Sequence, residues 1–428
     1  MSTWAWRQLL LGTSLLIVSA VAQAQEAEPM PDSAVEGNAA EATEASEGEA
    51  PAEEEAATLL PDWGRAAMAE KGYKVDFLAV NDYWANVSGG VKRTDNIIGN
   101  LFVTLEVDTE KAGYWDGGRF VFAGIGVYGR GPFRAVGDYQ FTDSIDAPGT
   151  FEIWQLYYSQ DFADGKLNLL AGIHDFSMEF SVLSYGWTFI NSSFWTPPTI
   201  TQNFLSFYPF TGLGARGRAQ ISDELYVLGG VYDGTPTNPA RQREMDWGVS
   251  HDDGMFAIGE VGYETGEGAP RHTKVALGAW HNSARYQDLA GETRTSNYGS
   301  YLLAQQDLTR ESDDSDQGLS VFGQLGQANT QTNFNSWYFG AGFRYKGLLP
   351  SRDNDVVGVG WAMAQTSGKV REIDPSVLRN EQAFELSYRA QITPYFWLTP
   401  DIQYVRNPGP TEGRSDAVVL FMRTELAL

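Results

Sequence analysis

The segment from Val418 to Leu428, VVLFMRTELAL, constrains this chain more than any other. Val418, Leu420, Met422, Leu426 and Leu428 fall on one face of a strand, with Thr424 the one polar member. Val419, Phe421, Arg423, Glu425 and Ala427 fall on the other. A soluble sheet covers its apolar face with a second layer. Here no covering segment follows, and many upstream segments repeat the pattern. A closed barrel with lipid outside and water inside satisfies both faces, because closure leaves no unpaired backbone edge in hydrocarbon.

The other end of the chain agrees. Arg7 supplies positive charge, Leu9 to Val21 is a short apolar run, and Ala22-Gln23-Ala24 forms a small-x-small cleavage site. Residues 1–24 are therefore expected to be a cleaved signal peptide. No later stretch approaches the roughly 20 apolar residues of a spanning helix. An exported chain of alternating strands points to a bacterial outer membrane.

Composition narrows the reading. No cysteine is present, so disulfides, thiolate metal sites and thiol nucleophiles are excluded. The 46 glycines suit turns and tight lumen packing, and the 13% aromatic content suits interface girdles. A formal charge of −25 argues against a nucleic-acid partner. Eleven of the acids lie in residues 25–58, which hold no base and no apolar stripe. That segment cannot bury enough surface to offset its ordering entropy and reads as a disordered, acidic periplasmic tail.

Residues 59–428 read as the barrel. Residues 61–72 form a short N-terminal helix with Asp62 as N-cap and Gly72 just past its end. Period-2 segments follow at Val75–Trp84, Asn96–Asp108, Arg119–Tyr128, Glu152–Gln160, Lys166–Ile173, Leu213–Ile221, Leu225–Tyr232 and Met255–Glu264. They continue at Thr273–Trp280, Tyr298–Gln306, Leu319–Gly326, Ser336–Tyr345, Asp355–Ala364, Ala383–Ile392, Tyr395–Tyr404 and Ala417–Leu428. Sixteen is an even number, as an antiparallel barrel with both ends on one side requires. The fold class is all-β, a transmembrane antiparallel barrel of about sixteen strands. Alternation places Trp337, Phe339, Phe384, Leu386, Leu398 and Ile402 toward lipid. Arg344, Glu385, Arg389, Asp401 and Glu106 then face the lumen, because a charge on the lipid face costs about 2–4 kcal/mol at mid-membrane.

Residues 175–211 do not alternate and are rich in aromatics, among them Phe176, Phe180, Tyr185, Trp187, Phe189, Phe194, Trp195, Phe204, Phe207 and Tyr208. A loop of this length in a compact domain is usually functional. In a barrel its economical place is inside the lumen, as a constriction.

Several stretches are similar to a known family. PDWGRAAMAEKGYKVDF (61–77), NVSGGVKR (86–93), EIWQLYYSQDFADGKLNLLAGIHDFSMEF (152–180), FINSSF (189–194) and YPFTGLGARGR (208–218) resemble, in order and spacing, the OprB-type carbohydrate-selective porins. The resemblance is strongest over 61–220 and thin beyond. It implies a sixteen-stranded outer-membrane barrel passing monosaccharides such as glucose. The terminal Leu428, where such barrels commonly end in an aromatic, and the long acidic tail depart from the pattern.

A sugar offers apolar CH faces and polar hydroxyl edges, so a selective pore needs aromatic platforms and charged hydrogen-bonding groups. Arg216 and Arg218, two apart in GARGR, project to one side and are the first candidates. Arg344, Arg389 and Arg423 are the next bases, and Glu106, Glu385, Asp401 and Glu425 the opposing acids. Trp187, Phe194 and Trp195 are candidate loop platforms, Trp280 and Trp397 candidate wall platforms. Asn191 and Ser192 offer hydrogen bonds. Expected partners are monosaccharide solutes, outer-membrane lipids, lipopolysaccharide and the barrel-assembly machinery. A monomer and a homotrimer both fit.

Other classes remain open. A porin for another solute is one; an anion channel would need dominant lumen bases, and here acids roughly match them. An outer-membrane enzyme is another. The four histidines, His174, His251, His272 and His281, form no HExxH pair, and no GxSxG elbow occurs. His281, on a lipid-facing position near a strand end, would need a coupled serine. The runs DDSD (313–316) and RDND (352–355) read as solvated loop acids rather than a Ca²⁺ site. No metal or cofactor is expected.

Overall fold

The computed structural model describes residues 59, 61–203, 205–236, 253–265, 271–312 and 315–428. The signal peptide and acidic tail, together with Phe204, His251 and Asp313–Asp314 of the DDSD run, lie outside the described residues.

Strands β1 (Tyr73–Ser88), β2 (Thr94–Asp108), β3 (Gly118–Gly129), β4 (Thr150–Phe162), β5 (Leu167–His174), β6 (Gly212–Gln220), β7 (Leu225–Asp233), β8 (Met255–Glu264) and β9 (Thr273–Asn282) form the first part of the wall. A two-residue ribbon, β10 (Tyr286–Gln287) with β11 (Thr293–Arg294), interrupts it outside the barrel sheet. The wall continues through β12 (Asn297–Asp307), β13 (Gly318–Ala328), β14 (Asn335–Lys346), β15 (Val356–Thr366), β16 (Asn380–Thr393), β17 (Phe396–Arg406) and β18 (Ala417–Ala427). Each strand pairs antiparallel with its sequence neighbour in the wall, and β1 pairs with β18 to close a sixteen-strand barrel. Each of the sixteen expected segments corresponds to one wall strand. No helix among the described residues is long and apolar enough to cross a membrane.

The faces follow the alternation. In β18, Leu420 and Met422 are exposed while Val419, Phe421 and Arg423 are buried. In β16 and β17, Phe384, Leu386 and Ile402 point out and Glu385, Ser387, Asp401 and Gln403 point in. One expectation needs adjustment. The N-terminal helix is only Arg65–Ala69, because Gly64 at φ 87° occupies the cap position and breaks the turn before it. Asp62 still caps, accepting the amides of Ala66 (2.7 Å) and Gly64 (2.9 Å). Gly72 ends the segment at φ 82°, where a Cβ would lie 2.6 Å from the carbonyl of Asp108.

The connections 130–149 and 175–211 share one rim, and both ends of the described barrel lie at the opposite rim. Both connections turn inward. Residues 175–211 cover the inner wall of β7–β16: Phe176, Phe180, Leu183, Tyr185, Phe189 and Phe194 pack with Tyr226, Tyr232, Phe256, Tyr301, Phe322 and Tyr338. Wall glycines make room for it. A Cβ on Gly360 would lie 2.6 Å from the Phe194 ring, and one on Gly358 would lie 2.9 Å from Phe189. Residues 130–149 cover the other side, where Ala135, Val136, Ile145 and Ala147 pack with Val80, Trp84, Ile98, Ile125 and Val419. That second inward loop was not expected from the sequence.

Candidate functional site: a lumen narrowed by two loops

The long loop traverses the barrel. It leaves β5 at Asp175, whose carboxylate accepts Ser177 N at 2.8 Å and Tyr208 N at 2.8 Å, fastening both ends of the loop together. It passes Glu260 on β8, which accepts Ser181 N at 2.9 Å. Tyr185 then reaches Asp307, the last residue of β12, at the far rim. The loop returns along β13–β16, where Glu385 accepts the amides of Ile190 and Asn191. Gln324 and Tyr338 donate to the carbonyl of Ser193 at 2.9 and 2.7 Å. It meets the other inward loop at Ser144 N to Ile190 O (2.8 Å) and Ser192 N to Phe141 O (2.9 Å). The two loops therefore form one body inside the pore.

The structure separates the candidate residues into fixtures and accessible groups. Arg216 is a fixture. Its guanidinium is enclosed by Glu179 and Asn168, with 9% of the side chain exposed. Burial resists ionisation of Glu179, but the His174 hydrogen bond and the Arg216 charge outweigh it and hold the carboxyl down to about 2. Arg423 is likewise buried, bound by Asp82 through both carboxylate oxygens and by Asp143 at 3.3 Å. Glu385 and Asp401 are buried beneath the loop tip. Phe194 is wholly buried, 4.7 Å from Phe189 and 5.9 Å from Phe322, so it packs and presents no platform to the lumen. Trp280 is buried against Phe256. Asn191 is buried, capping Ser193 N at 3.0 Å, while Ser192 stays half-buried.

Other candidates remain partly accessible. The Arg218 guanidinium lies 4.4 Å over the Tyr226 ring and that of Arg344 3.9 Å over Tyr185. Among the described residues, no ion pair involves either. Arg389 holds Glu425 through two hydrogen bonds (3.1 and 2.7 Å) and lies 5.0 Å over Trp397, which is largely buried beneath it. Trp187 and Trp195 are half-buried with rings 6.1 Å apart. Glu106 faces Arg119 at 3.4 Å.

Sequence reasoning missed several lumen groups. Lys74 pairs with Asp76 at 3.6 Å, and Lys274 with Glu264 at 3.3 Å. Each lies on an inward position of its strand, so alternation alone would have found them. The accessible charges of β1–β3 and of β16–β18 sit near the rim that carries the chain ends. The loops cover the wall elsewhere. Bases and acids occur there as matched pairs.

Residues 92–428 match the family model of the carbohydrate-selective porins, OprB family. The chain belongs to the OprB family. Porin B of Pseudomonas aeruginosa is 24% identical over 418 residues, covering 86% of this chain and 90% of that protein. The putative porin QuiX of Acinetobacter baylyi is 24% identical over 432 residues, covering 86% and 92%. The high-pH structure of Pseudomonas putida OprB superposes with a TM-score of 0.78 at 20% identity, covering 86% of this chain and 97% of that one. This OprB-family barrel is thus an outer-membrane channel. His281 does contact a serine, Ser296 Oγ at 3.0 Å, but both are exposed, and no acid or amide orients the ring among the described residues. Nor does any group of three or more His, Cys, Asp or Glu among the described residues have metal-site geometry. Arg352 pairs with Asp355 at 2.6 Å within the RDND run.

Proposed function

We propose that the channel admits small uncharged sugars, monosaccharides such as glucose, by passive diffusion. The observation that carries this reading is the lumen's mixture of charge and aromatic surface. Lys74–Asp76, Glu106–Arg119, Lys274–Glu264 and Arg389–Glu425 are matched pairs, so neither anions nor cations meet a dominant field. The Arg218 and Arg344 guanidiniums lie over tyrosine rings and enter no carboxylate ion pair among the described residues, a setting suited to donating to hydroxyl oxygens. Trp187 and Trp195 supply faces for CH groups. The apolar outer belt, including Phe122, Leu277, Leu386 and Leu420, supports lipid as the surrounding partner.

Liposome swelling tests this with glucose, a disaccharide and a size-matched zwitterionic amino acid. Glucose should enter fastest, and an Arg218→Ala/Arg344→Ala double variant should narrow its lead over the amino acid. Equal entry of all small solutes into wild-type vesicles would replace the sugar-selective reading with a general porin.

A further inference from the structure

Residues 61–72, with Leu59 ahead of them, run beneath the wall at the rim that carries the chain ends. Leu59 N donates to Ala427 O at 3.2 Å, at the foot of β18. Arg65 Nη1 donates to Leu428 O at 2.8 Å. The N–H of Asp108, the last residue of β2, donates to Gly72 O at 2.8 Å. The segment is therefore a strap across the feet of β18, β1 and β2, directly under the barrel seam.

Polar and apolar groups of the strap behave differently. Asp62 directs its carboxylate to the amides of Gly64 and Ala66, and Arg65 is turned to Leu428. Trp63 and Met68 instead project away from the protein. Trp63 is 72% exposed, more than any other tryptophan among the described residues, and Met68 is 44% exposed. Trp63 makes no ring contact, and its indole N–H no hydrogen bond, among the described residues. Its backbone is left-handed at φ 46°, an unfavourable conformation for a bulky side chain. Nothing in the described protein compensates for that strain or for the exposed ring.

The wall above indicates what does. Tyr73 follows Gly72 directly and lies on the outer face of β1, since Lys74 beside it faces the lumen with Asp76. Tyr73 OH meets Tyr114 OH at 2.9 Å, Trp115 Nε1 donates to Tyr158 OH at 2.9 Å, and Trp115 packs edge-on against Phe120 at 6.1 Å. These rings form an aromatic girdle at the foot of the lipid-facing belt, the level at which Tyr and Trp meet headgroups. The strap is continuous with that girdle. Trp63 is the same kind of group at the same rim, an apolar body with a free N–H.

We propose that the strap is a membrane-surface anchor, with Trp63 and Met68 seated among the headgroups and upper acyl chains of the phospholipid leaflet at that rim. Its polar side grips the feet of β18 and β2 while its apolar side rests on lipid. The bilayer thereby holds the strap against the seam. The inference is independent of which solute passes.

The test is electron paramagnetic resonance of a nitroxide label in vesicles of phosphatidylethanolamine and phosphatidylglycerol. The chain has no cysteine, so each cysteine variant of the full mature protein takes a single label. A label on Met68→Cys should be reached by oxygen, which partitions into lipid, and shielded from a water-soluble nickel chelate, as should one on Leu420→Cys in the outer belt. A label on Asp223→Cys, in an exposed turn at the same rim, should show the reverse. Adding Trp63→Ser to Met68→Cys should raise nickel access several-fold, whereas Trp63→Phe should keep it low. Folding is judged by heat-modifiable gel mobility, and Ala67→Cys, exposed on the same short helix, serves if Met68→Cys does not fold. Nickel access on the strap equal to that at position 223 would overturn the proposal, because the strap would then face water. Low access to both reagents would also overturn it, because protein would then cover the site. So would unchanged nickel access after Trp63→Ser in a folded barrel.

Discussion

Replacing Glu260 with alanine removes one acceptor from three donors. Tyr226 OH (2.7 Å), Tyr301 OH (2.6 Å) and Ser181 N (2.9 Å) all converge on its buried carboxylate. Two of them belong to the wall and one to the loop, so the residue stitches loop to wall. Hydrogen bonds to a charged acceptor contribute about 1.5–3 kcal/mol each, giving an upper bound of roughly 9 kcal/mol. The two tyrosine bonds lie within the wall and only the Ser181 bond joins loop to wall, so about 1.5–3 kcal/mol of loop docking should be lost. The strand ladder does not depend on Glu260, and the barrel should remain folded. Channel recordings should show larger, noisier conductance, and swelling assays should show disaccharide entry rising relative to glucose. Glu260→Gln retains an acceptor of similar shape and should give a smaller effect. Wild-type conductance and wild-type disaccharide exclusion in a folded Glu260→Ala barrel would refute the idea that this contact holds the loop.

Gly360→Val should push the loop tip off the wall, because a Cβ there meets Phe194 at 2.6 Å and overpacking costs about 1–3 kcal/mol. Gly229→Ala, with nothing within 4 Å of its added Cβ, should leave conductance unchanged, and similar behaviour of both variants would count against the packing argument. Arg389→Ala leaves Glu425 without its partner and should shift the reversal potential in a KCl gradient toward cation selectivity, whereas an unmoved potential would mean that the pair does not face the permeation path. Glu179, depressed from 4.5 to about 2, contributes loop stability that is present above pH 4.5 and lost as pH falls through about 2. Hydrogen exchange in residues 176–183 should therefore accelerate over that window, and Glu179→Gln should remove this acid dependence.

The wall was legible in the sequence because lipid and water impose opposite demands on alternate residues, and the strands obey both except at local register shifts such as that opposite Trp154 and Gln155. Loops carry no such period. The absence of alternation in 175–211, with its many aromatics, sufficed to turn that loop inward. The same absence over 130–149 passed unnoticed because Gly131, Pro132, Gly137, Pro148 and Gly149 give it the look of an ordinary surface connection. The site was less legible than the wall. Arg216 and Arg218 are equivalent by spacing, yet the loop brings Glu179 to the first and leaves the second over Tyr226. Phe194 and Trp195 are adjacent aromatics, one sealed against Phe322 and the other half-buried beside Trp187. Such distinctions arise from contacts between segments far apart in the chain, and no local pattern encodes them.

The seam between β1 and β18 runs from Leu78 opposite Ala427 to Ser88 opposite Val418. The first strand of the wall thus waits for the last before it has a second neighbour. Until then both β1 and β17 present unpaired amides and carbonyls, which pair readily with foreign strands and cannot be left open to hydrocarbon. No shorter version of this cylinder is complete. A chain without Val418–Leu428 would form not a slightly smaller pore but an unclosed sheet with two adhesive edges.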